Sequence, residues 1–340
     1  MLADLLGVPQ GTVSKMESGL KPVSDDVLSA LSRILDYPPH FFLQGGQSMG
    51  VAMAELFHRK RQNVPKKVLD QIYAEIEIKT RHIKALLRAA EITVNVDPVD
   101  IDDFGGDVEE VARLVRASLG VPRGPIENLT GIIESAGVLV VPCDFHTRKV
   151  DAISRWARPL PPIIFINKDL PKDRWRASLG HELGHIVMHT IPSPDIEDQA
   201  FQFGAEFLLP AHEVRTHLTE LNMPKLAQLK RYWKVSMGML LMRAKNLGMT
   251  TPSQDRYLWA QMARAGYKVR EPAELDIGGE QPSLLQDLIK LHFDQLDYSG
   301  AELAEMLALN PPEFDMLYWD RADGGKGGLR IVPLNSQQRA

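Results

Sequence analysis

The sequence predicts a multidomain, mainly α-helical protein with an N-terminal helix-turn-helix, a central α+β domain that contains a small sheet, and a helical C-terminal region. The chain of 340 residues is longer than one average domain. Apolar residues recur at helical spacing through most of it, whereas the short β-branched runs that indicate strands occur in its middle. We therefore divide the chain into residues 1–46, 47–107, 108–270 and 271–340.

The composition is typical of a soluble globular protein, with 44% apolar and 24% charged residues. The single cysteine, Cys143, excludes an intramolecular disulfide and fits a reducing cytoplasm, which is the localisation that we predict. The N-terminus lacks the charged start and apolar core of a secretory signal. No apolar stretch approaches the roughly 18 residues that a membrane span needs. We therefore expect no membrane partner.

The N-terminal region predicts short helices separated by tight turns. Gly7 closes the first helix, in residues 2–8, and Gly19 ends the second, in residues 9–19. Ser24 is predicted to be the N-terminal cap of a third helix. A helix, a glycine turn and a second helix with small polar residues form a helix-turn-helix pattern.

The stretch LADLLGVPQGTVSKMESG resembles helices two and three of the Xre/phage-repressor family of DNA-binding domains. The resemblance implies that DNA is a partner and that Gln10, Thr12, Ser14 and Lys15 face its bases or phosphates. The first helix of that family would lie upstream, so we expect the module to lack it here. Residues 1–45 carry more acidic than basic side chains, and phosphate affinity rests on Lys and Arg. A helical packing or dimerisation module is therefore the alternative.

Two stretches between the terminal and central regions differ in charge. Residues 58–88 carry nine basic and three acidic side chains, which predicts either a phosphate-binding surface or a solvated helix face. Residues 93–106 are acidic, contain a proline and end in two glycines, which is typical of a linker. We place the main domain boundary in this second stretch.

The central region predicts a small sheet followed by a helix that carries a metal-binding motif. Strands are expected at residues 138–141 and 163–166, because these runs are short and rich in β-branched residues. Residues 151–154, between them, suggest another strand. The helix begins near residues 171–173 and extends to about His189.

This helix contains the pattern H-E-x-x-H at His181, Glu182 and His185. Residues i and i+4 share one helix face, so both histidines can offer a ring nitrogen to one zinc ion. Glu182 is rotated by about 100° from His181, beside the ion rather than on it. Zinc acidifies water, and a carboxylate in that position can accept the proton as general base.

A catalytic zinc site needs a third protein ligand. Metzincin spacing would require histidine where Ile191 stands. His189 lies one further turn along the motif helix, but a straight helix poorly supplies three tetrahedral ligands, so we place it beside the site. A glutamate on the next helix, residues 195–209, would complete a His₂Glu site. Glu197 is preferred because apolar neighbours can pack its helix on the motif helix, and Glu206 is the alternative.

The stretches WRASLGHELGHIVMHT and EDQAFQFGAEFLLP are similar to the ImmA/IrrE family of zinc metallopeptidases. In that family a zincin helix is followed by a helix of the form E-x-x-A-x-x-F-A-x-x-L-L-x-P. The similarity covers about residues 108–270, and Gly204 stands where the family usually has alanine. The resemblance implies a zincin-like metallopeptidase domain with Zn²⁺ as its cofactor.

The same resemblance carries the zinc ligands onto His181, His185 and Glu197, and the general base onto Glu182. It also implies a bacterial, phage or mobile-element regulator that cleaves a protein substrate such as a transcriptional repressor. We therefore predict a zinc endopeptidase with a DNA-binding module. The alternative is a transcriptional regulator whose zincin-like domain is a sensor or a structural unit. A homodimer is expected by analogy with Xre-like modules.

Overall fold

A computed structural model describes residues 2–45, 64–189, 194–319 and 331–333. It confirms the predicted fold class, because the described residues are mostly helical and a three-stranded sheet lies in the central region. The α-helices are α1 (Leu2–Leu6), α2 (Gln10–Glu17), α3 (Asp25–Leu35), α4 (Pro39–Leu43), α5 (Lys66–Leu86), α6 (Val108–Ser118), α7 (Leu129–Ser135), α8 (Lys172–Met188), α9 (Ile196–Leu208), α10 (Ala211–Val214), α11 (Met223–Trp233), α12 (Met237–Asn246), α13 (Pro252–Arg264), α14 (Leu284–Asp294), α15 (Gly300–Met306) and α16 (Pro311–Phe314).

The strands are β1 (Ala90–Ile92), β2 (Leu139–Cys143), β3 (Ala152–Arg155), β4 (Ile163–Asn167) and β5 (Ile331–Pro333). Short 3₁₀ turns at Ile101–Phe104 and Ala273–Leu275 and a π-helical turn at Asp315–Trp319 complete the described elements. Within the described ranges, no helix combines the length and the apolar character that crossing a membrane would require.

The N-terminal module consists of α1 to α4, and its turns follow the predicted glycines. Gly7 and Gly19 adopt φ values of 66° and 71°, in the left-handed region that glycine enters without a steric penalty. Ala3 and Val13 are buried where α1 packs on α2. Helix–turn–helix geometry is therefore present as the sequence predicts.

The central sheet has the strand order β2-β4-β3, with β2 parallel and β3 antiparallel to β4. Val140 and Ile164 point to one face, where α7 and α8 pack on the sheet, whereas Val141 and Phe165 point to the other face. Both faces are buried, which explains why these strands are continuous apolar runs instead of alternating patterns.

The second face of the sheet is covered by helices that are distant in sequence. Ile76 and Ile83 of α5 pack there with Leu285 and Leu288 of α14. His82 of α5 also lies within hydrogen-bond distance of the Tyr318 hydroxyl, at 2.8 Å. The predicted boundaries at residues 107 and 270 are not tested by these contacts. Helices from the segments before and after the central region nevertheless pack on its sheet. Arg59, Lys60 and Arg61 of the basic stretch lie outside the described residues.

Residues 93–106, which the composition predicts as a linker, pack closely against the central region. The N–H of Asn95 donates to the carbonyl of Ala136, and the N–H of Val99 donates to the carbonyl of Val187, both at 2.8 Å. Val96 is buried in the same core as α8. Acidic side chains on the exposed side of the stretch hide this packing from a reading of composition alone.

Candidate metal centre

Helix α8 carries the H-E-x-x-H motif and spans Lys172–Met188, close to its predicted range. It begins after Pro171, whose carbonyl accepts the N–H of Trp175 at 2.8 Å. Most of the helix is buried, because the sheet lies on one side and α9 on the other. A helix that is packed on two opposite sides holds its buried side chains in fixed positions, which is what a metal site requires.

Helices α8 and α9 approach each other closely at glycines. A Cβ atom built on Gly204 would lie 3.1 Å from the backbone nitrogen of His181. A Cβ atom built on Gly184 would lie 3.1 Å from the Cβ of Phe203. The absence of side chains at these positions lets the two helices cross almost backbone to backbone. This crossing brings the first turn of α9, which carries Glu197, to the histidines of α8.

The Nε2 atoms of His181 and His185 are 3.0 Å apart. The Glu197 carboxylate lies against both rings, with Oε2 at 3.4 Å from Nε2 of His181 and Oε1 at 3.5 Å from Nε2 of His185. One potential ligand atom from each residue lies within 4.8 Å of the other two, and all three residues are buried. The structure thus brings together the three residues that the sequence singles out as ligands.

The chemistry of this cluster fits a zinc ion. Two imidazole nitrogens and one carboxylate oxygen are a common catalytic zinc set that leaves a fourth position open. Burial lowers the pKa of His185 to about 3, so its imidazole is neutral and can offer a lone pair. Lone pairs on two Nε2 atoms that are 3.0 Å apart repel unless a proton or a cation lies between them. The residues present are therefore suited to hold the ion.

Glu182 lies beside this cluster, on the side of the sheet. The backbone N–H of Ser154 in β3 donates a 2.8 Å hydrogen bond to its Oε2 atom, and the side chain is almost completely buried. The hydrogen bond orients the carboxylate and connects the motif helix to the outer strand of the described sheet. Sequence reasoning did not single out Ser154, because a backbone donor leaves no signal in residue identity.

Two family models match the chain. Residues 133–245 match the model of the IrrE N-terminal-like domain, named for the M78 peptidases, and residues 1–42 match a helix-turn-helix model. Residues 133–245 form an IrrE N-terminal-like domain. The chain therefore combines an N-terminal helix-turn-helix module with a domain of a peptidase family, as its sequence motifs indicate. A comparison with curated proteins found no match.

Within the IrrE N-terminal-like domain, Glu206 lies away from the histidines. Its carboxylate forms a buried ion pair with Arg243 and, at 3.3 Å, a second ion pair with the partly exposed Arg113. It also accepts the N–H of Ala211 at 3.1 Å, so it joins α9 to the segment that follows. Burial raises its pKa, and the neighbouring Arg243 opposes that shift. These contacts account for the residue without a metal.

His189 and Gln199 form a second layer around the cluster in the same domain. Nδ1 of His189 is 2.8 Å from Nδ1 of His185, and Nε2 of His189 is 3.0 Å from Oε1 of Gln199. The position of His189 beside the site agrees with the sequence prediction. Gln199 was missed, because it stands two residues after Glu197 and nothing in its spacing distinguishes it from a surface glutamine.

Phe201 is a further aromatic neighbour of the cluster that the sequence did not indicate. Its ring centroid is 4.4 Å from that of His181, and 57% of the residue is exposed. An exposed aromatic ring beside buried ligands gives the protein surface next to the cluster an apolar character.

The predicted DNA-contacting residues all lie on α2 of the helix-turn-helix module. Gln10, Ser14 and Lys15 are exposed, whereas Thr12 is half-buried. Gln10 and Ser14 are four positions apart and share one helix face. Three of the four predicted side chains are therefore accessible to a nucleic acid.

Proposed function

We propose that this protein is a regulatory zinc-dependent endopeptidase that also binds DNA, and that its substrate is a protein such as a transcriptional repressor. The observation that carries the proposal is the buried cluster of His181, His185 and Glu197 with Glu182 beside it. A purely structural zinc site would need no carboxylate next to its ligands. The match to an M78 peptidase domain supports the same assignment.

In this proposal each residue has a separate role. His181, His185 and Glu197 would hold the zinc ion. When bound, the ion supplies a Lewis acid that polarises a carbonyl group and increases the acidity of water. Glu182 accepts the proton of the attacking water and then donates it to the leaving amine, so the peptide bond is broken without a net change in protonation. The Ser154 N–H keeps this carboxylate oriented throughout.

The test compares the full-length protein with its Glu182→Gln variant. The amide keeps an oxygen that can accept the Ser154 N–H but cannot accept a proton. We expect about one zinc ion per chain in both proteins, from two histidine ligands and one glutamate ligand. Digestion of repressor proteins encoded near the gene should occur only with the wild type. The exposed Glu274→Gln variant is the matched control and should digest normally. Cleavage that persists in Glu182→Gln contradicts the proposal.

The helix-turn-helix module supports DNA as a second partner. This module contacts the C-terminal region, because the amide of Asn310 donates to the backbone carbonyl and the carboxylate of Asp36 at 2.8 and 2.9 Å. Tyr37 and His40 make further contacts with Glu313 and with the carbonyl of Glu305. We propose that such contacts couple DNA binding to the peptidase domain in a cytoplasmic homodimer.

The competing function is a DNA-binding transcriptional regulator whose zincin-like domain is a sensor or a structural unit and does not cleave protein. The two functions separate in one experiment, in which operator fragments are selected with wild-type protein and then bound to the Glu182→Gln variant. A pure regulator binds DNA and switches transcription equally well with either protein. A regulatory peptidase binds DNA with both but loses the transcriptional response in the variant. Sedimentation of the same samples measures the oligomeric state.

A further inference from the structure

We propose that His189 and Gln199 act as positioning residues that hold His185 in the tautomer whose Nε2 lone pair faces the metal. The inference rests on the proposed function in one respect, namely that His185 is a zinc ligand. It assigns a role to two residues that the H-E-x-x-H motif does not include. Neither of them touches the cluster atoms of His181 or Glu197 directly in the contacts described above.

The direction of the hydrogen bonds follows from the chemistry of the groups. The Oε1 atom of Gln199 can only accept, so the hydrogen between it and His189 must be on Nε2 of His189. A neutral imidazole carries one N–H, and Nδ1 of His189 is therefore an acceptor. The hydrogen in the 2.8 Å contact between the two Nδ1 atoms then belongs to His185. This leaves the Nε2 of His185 without a hydrogen and able to bind a metal.

The position of His189 makes this contact possible. It is the residue at which α8 ends, with φ −109° and ψ 74°, so its backbone has left the helical conformation. Its own N–H still bonds to the carbonyl of His185 at 3.1 Å, which keeps the residue close to the ligand. The ring can therefore meet the far side of the His185 ring instead of pointing along the helix face.

Gln199 connects this layer to the second ligand helix. It lies on α9, in the same first turn as Glu197, whereas His185 and His189 belong to α8 and its end. The hydrogen bonds therefore join the two elements whose separation sets the distance between the histidines and Glu197. Ligating histidines generally donate their second N–H to such an acceptor, which fixes the ring and increases the basicity of the ligand nitrogen.

The other histidine ligand lacks this support. The Nδ1 atom of His181 is buried and has no hydrogen-bond partner in the part of the chain that the structure describes. Of the two histidine ligands, His185 is thus the one whose Nδ1 atom meets a described side chain at hydrogen-bond distance. Loss of the acceptor on His189 should therefore weaken metal binding through His185. Substitution of His189 can measure this effect.

The tautomers are tested first by ¹⁵N NMR of the imidazole rings in the full-length protein, with zinc bound and after its removal. We expect His185 with its hydrogen on Nδ1 and His189 with its hydrogen on Nε2 in both samples. The opposite pair of tautomers overturns the inference, whether or not the protein proves to be a peptidase. If the wild type does not bind zinc, the proposed function fails, and the tautomers alone decide whether the two residues orient His185.

Zinc affinity, measured by competition with a chromogenic chelator, is the second test. His189→Leu and Gln199→Leu should each weaken binding by about 10- to 100-fold. His189→Asn places an amide oxygen near the position of Nδ1 and should restore most of the affinity, which a purely space-filling role would not predict. His212→Leu, at a histidine with 58% of its side chain exposed, is the matched control. Unchanged affinity in His189→Leu, or equal losses in His189→Asn and His189→Leu, overturns the inference.

Discussion

Gly180 and Gly204 lie against each other where the two ligand-bearing helices cross. A Cβ atom built on Gly204 would be 3.1 Å from the carbonyl carbon of Gly180, and one built on Gly180 would be 3.4 Å from the Cα of Gly204. The family pattern usually has alanine at position 204, and this chain has glycine there. The close contact allows Glu197 to reach the two histidines.

Substitution Gly204→Val should separate the helices and weaken the metal site. Two added methyl groups and a Cβ would meet backbone atoms that cannot rotate away, and such overpacking costs about 1–3 kcal/mol. We expect the free energy of unfolding to fall by that amount in urea titrations, and zinc affinity to fall with it. Gly11→Val, in a helix where a Cβ meets nothing within 4 Å, is the control. Equal effects of the two variants would refute a special role for the crossing.

The two glutamates of α9 should respond differently to the same change. Glu197→Gln should lower zinc affinity strongly while the protein stays folded, because it removes a ligand charge from the cluster. Glu206→Gln should leave zinc content unchanged but lower the free energy of unfolding, on the order of 3 kcal/mol, because Arg243 loses a buried charged partner. Metal analysis and denaturant unfolding of both variants measure these effects. Loss of zinc in a folded Glu206→Gln protein would assign the third ligand to Glu206 instead.

The stability of the fold should decrease in acid partly because of His82. Burial lowers the pKa of this imidazole from 6.5 to about 3, and the nearby charge of Lys79 adds to the shift. As the pH falls from about 6.5 toward 3, the unfolded state binds a proton that the folded state does not, so stability is lost across that window. The slope is about 1.4 kcal/mol per pH unit for one proton.

Unfolding of metal-free protein at several pH values measures this slope, and His82→Gln should reduce it. Tyr318→Phe removes the hydroxyl that lies 2.8 Å from Nδ1 of His82 but leaves the His82 ring buried. This variant should therefore keep the wild-type dependence of stability on pH. If His82→Gln keeps the wild-type pH dependence, burial of this histidine is not its source.

The exposed side chain of Lys15 should contribute to DNA affinity through phosphate rather than through base recognition. Lys15→Ala should weaken binding to specific and nonspecific DNA by a similar factor and reduce the slope of log affinity against log salt by about 1. Titration of labelled DNA at several salt concentrations measures both quantities. Lys245→Ala, at an exposed lysine of α12, should leave the slope unchanged. A loss confined to one DNA sequence would instead indicate base contact.

The choice between Glu197 and Glu206 shows what helical spacing can and cannot decide. The two residues are nine positions apart, so they point to nearly opposite faces of α9, about 180° apart. Spacing therefore implies that only one of them can face the histidines. The face that packs on α8 is selected by the glycine crossing and by the buried pair of Glu206 with Arg243. Residue identity alone leaves both glutamates as candidates for the third zinc ligand.

Local patterns in the sequence determined the motif helix, the three central strands and the helix–turn–helix, because their periodicity and turn residues act over a few positions. They also determined which residue types could bind zinc. Tertiary structure alone decided that residues 93–106 pack in the core, that His82 meets Tyr318, and that Gln199 lies behind His185 through His189. These contacts join positions brought together by chain packing, and burial, not sequence distance, determines them.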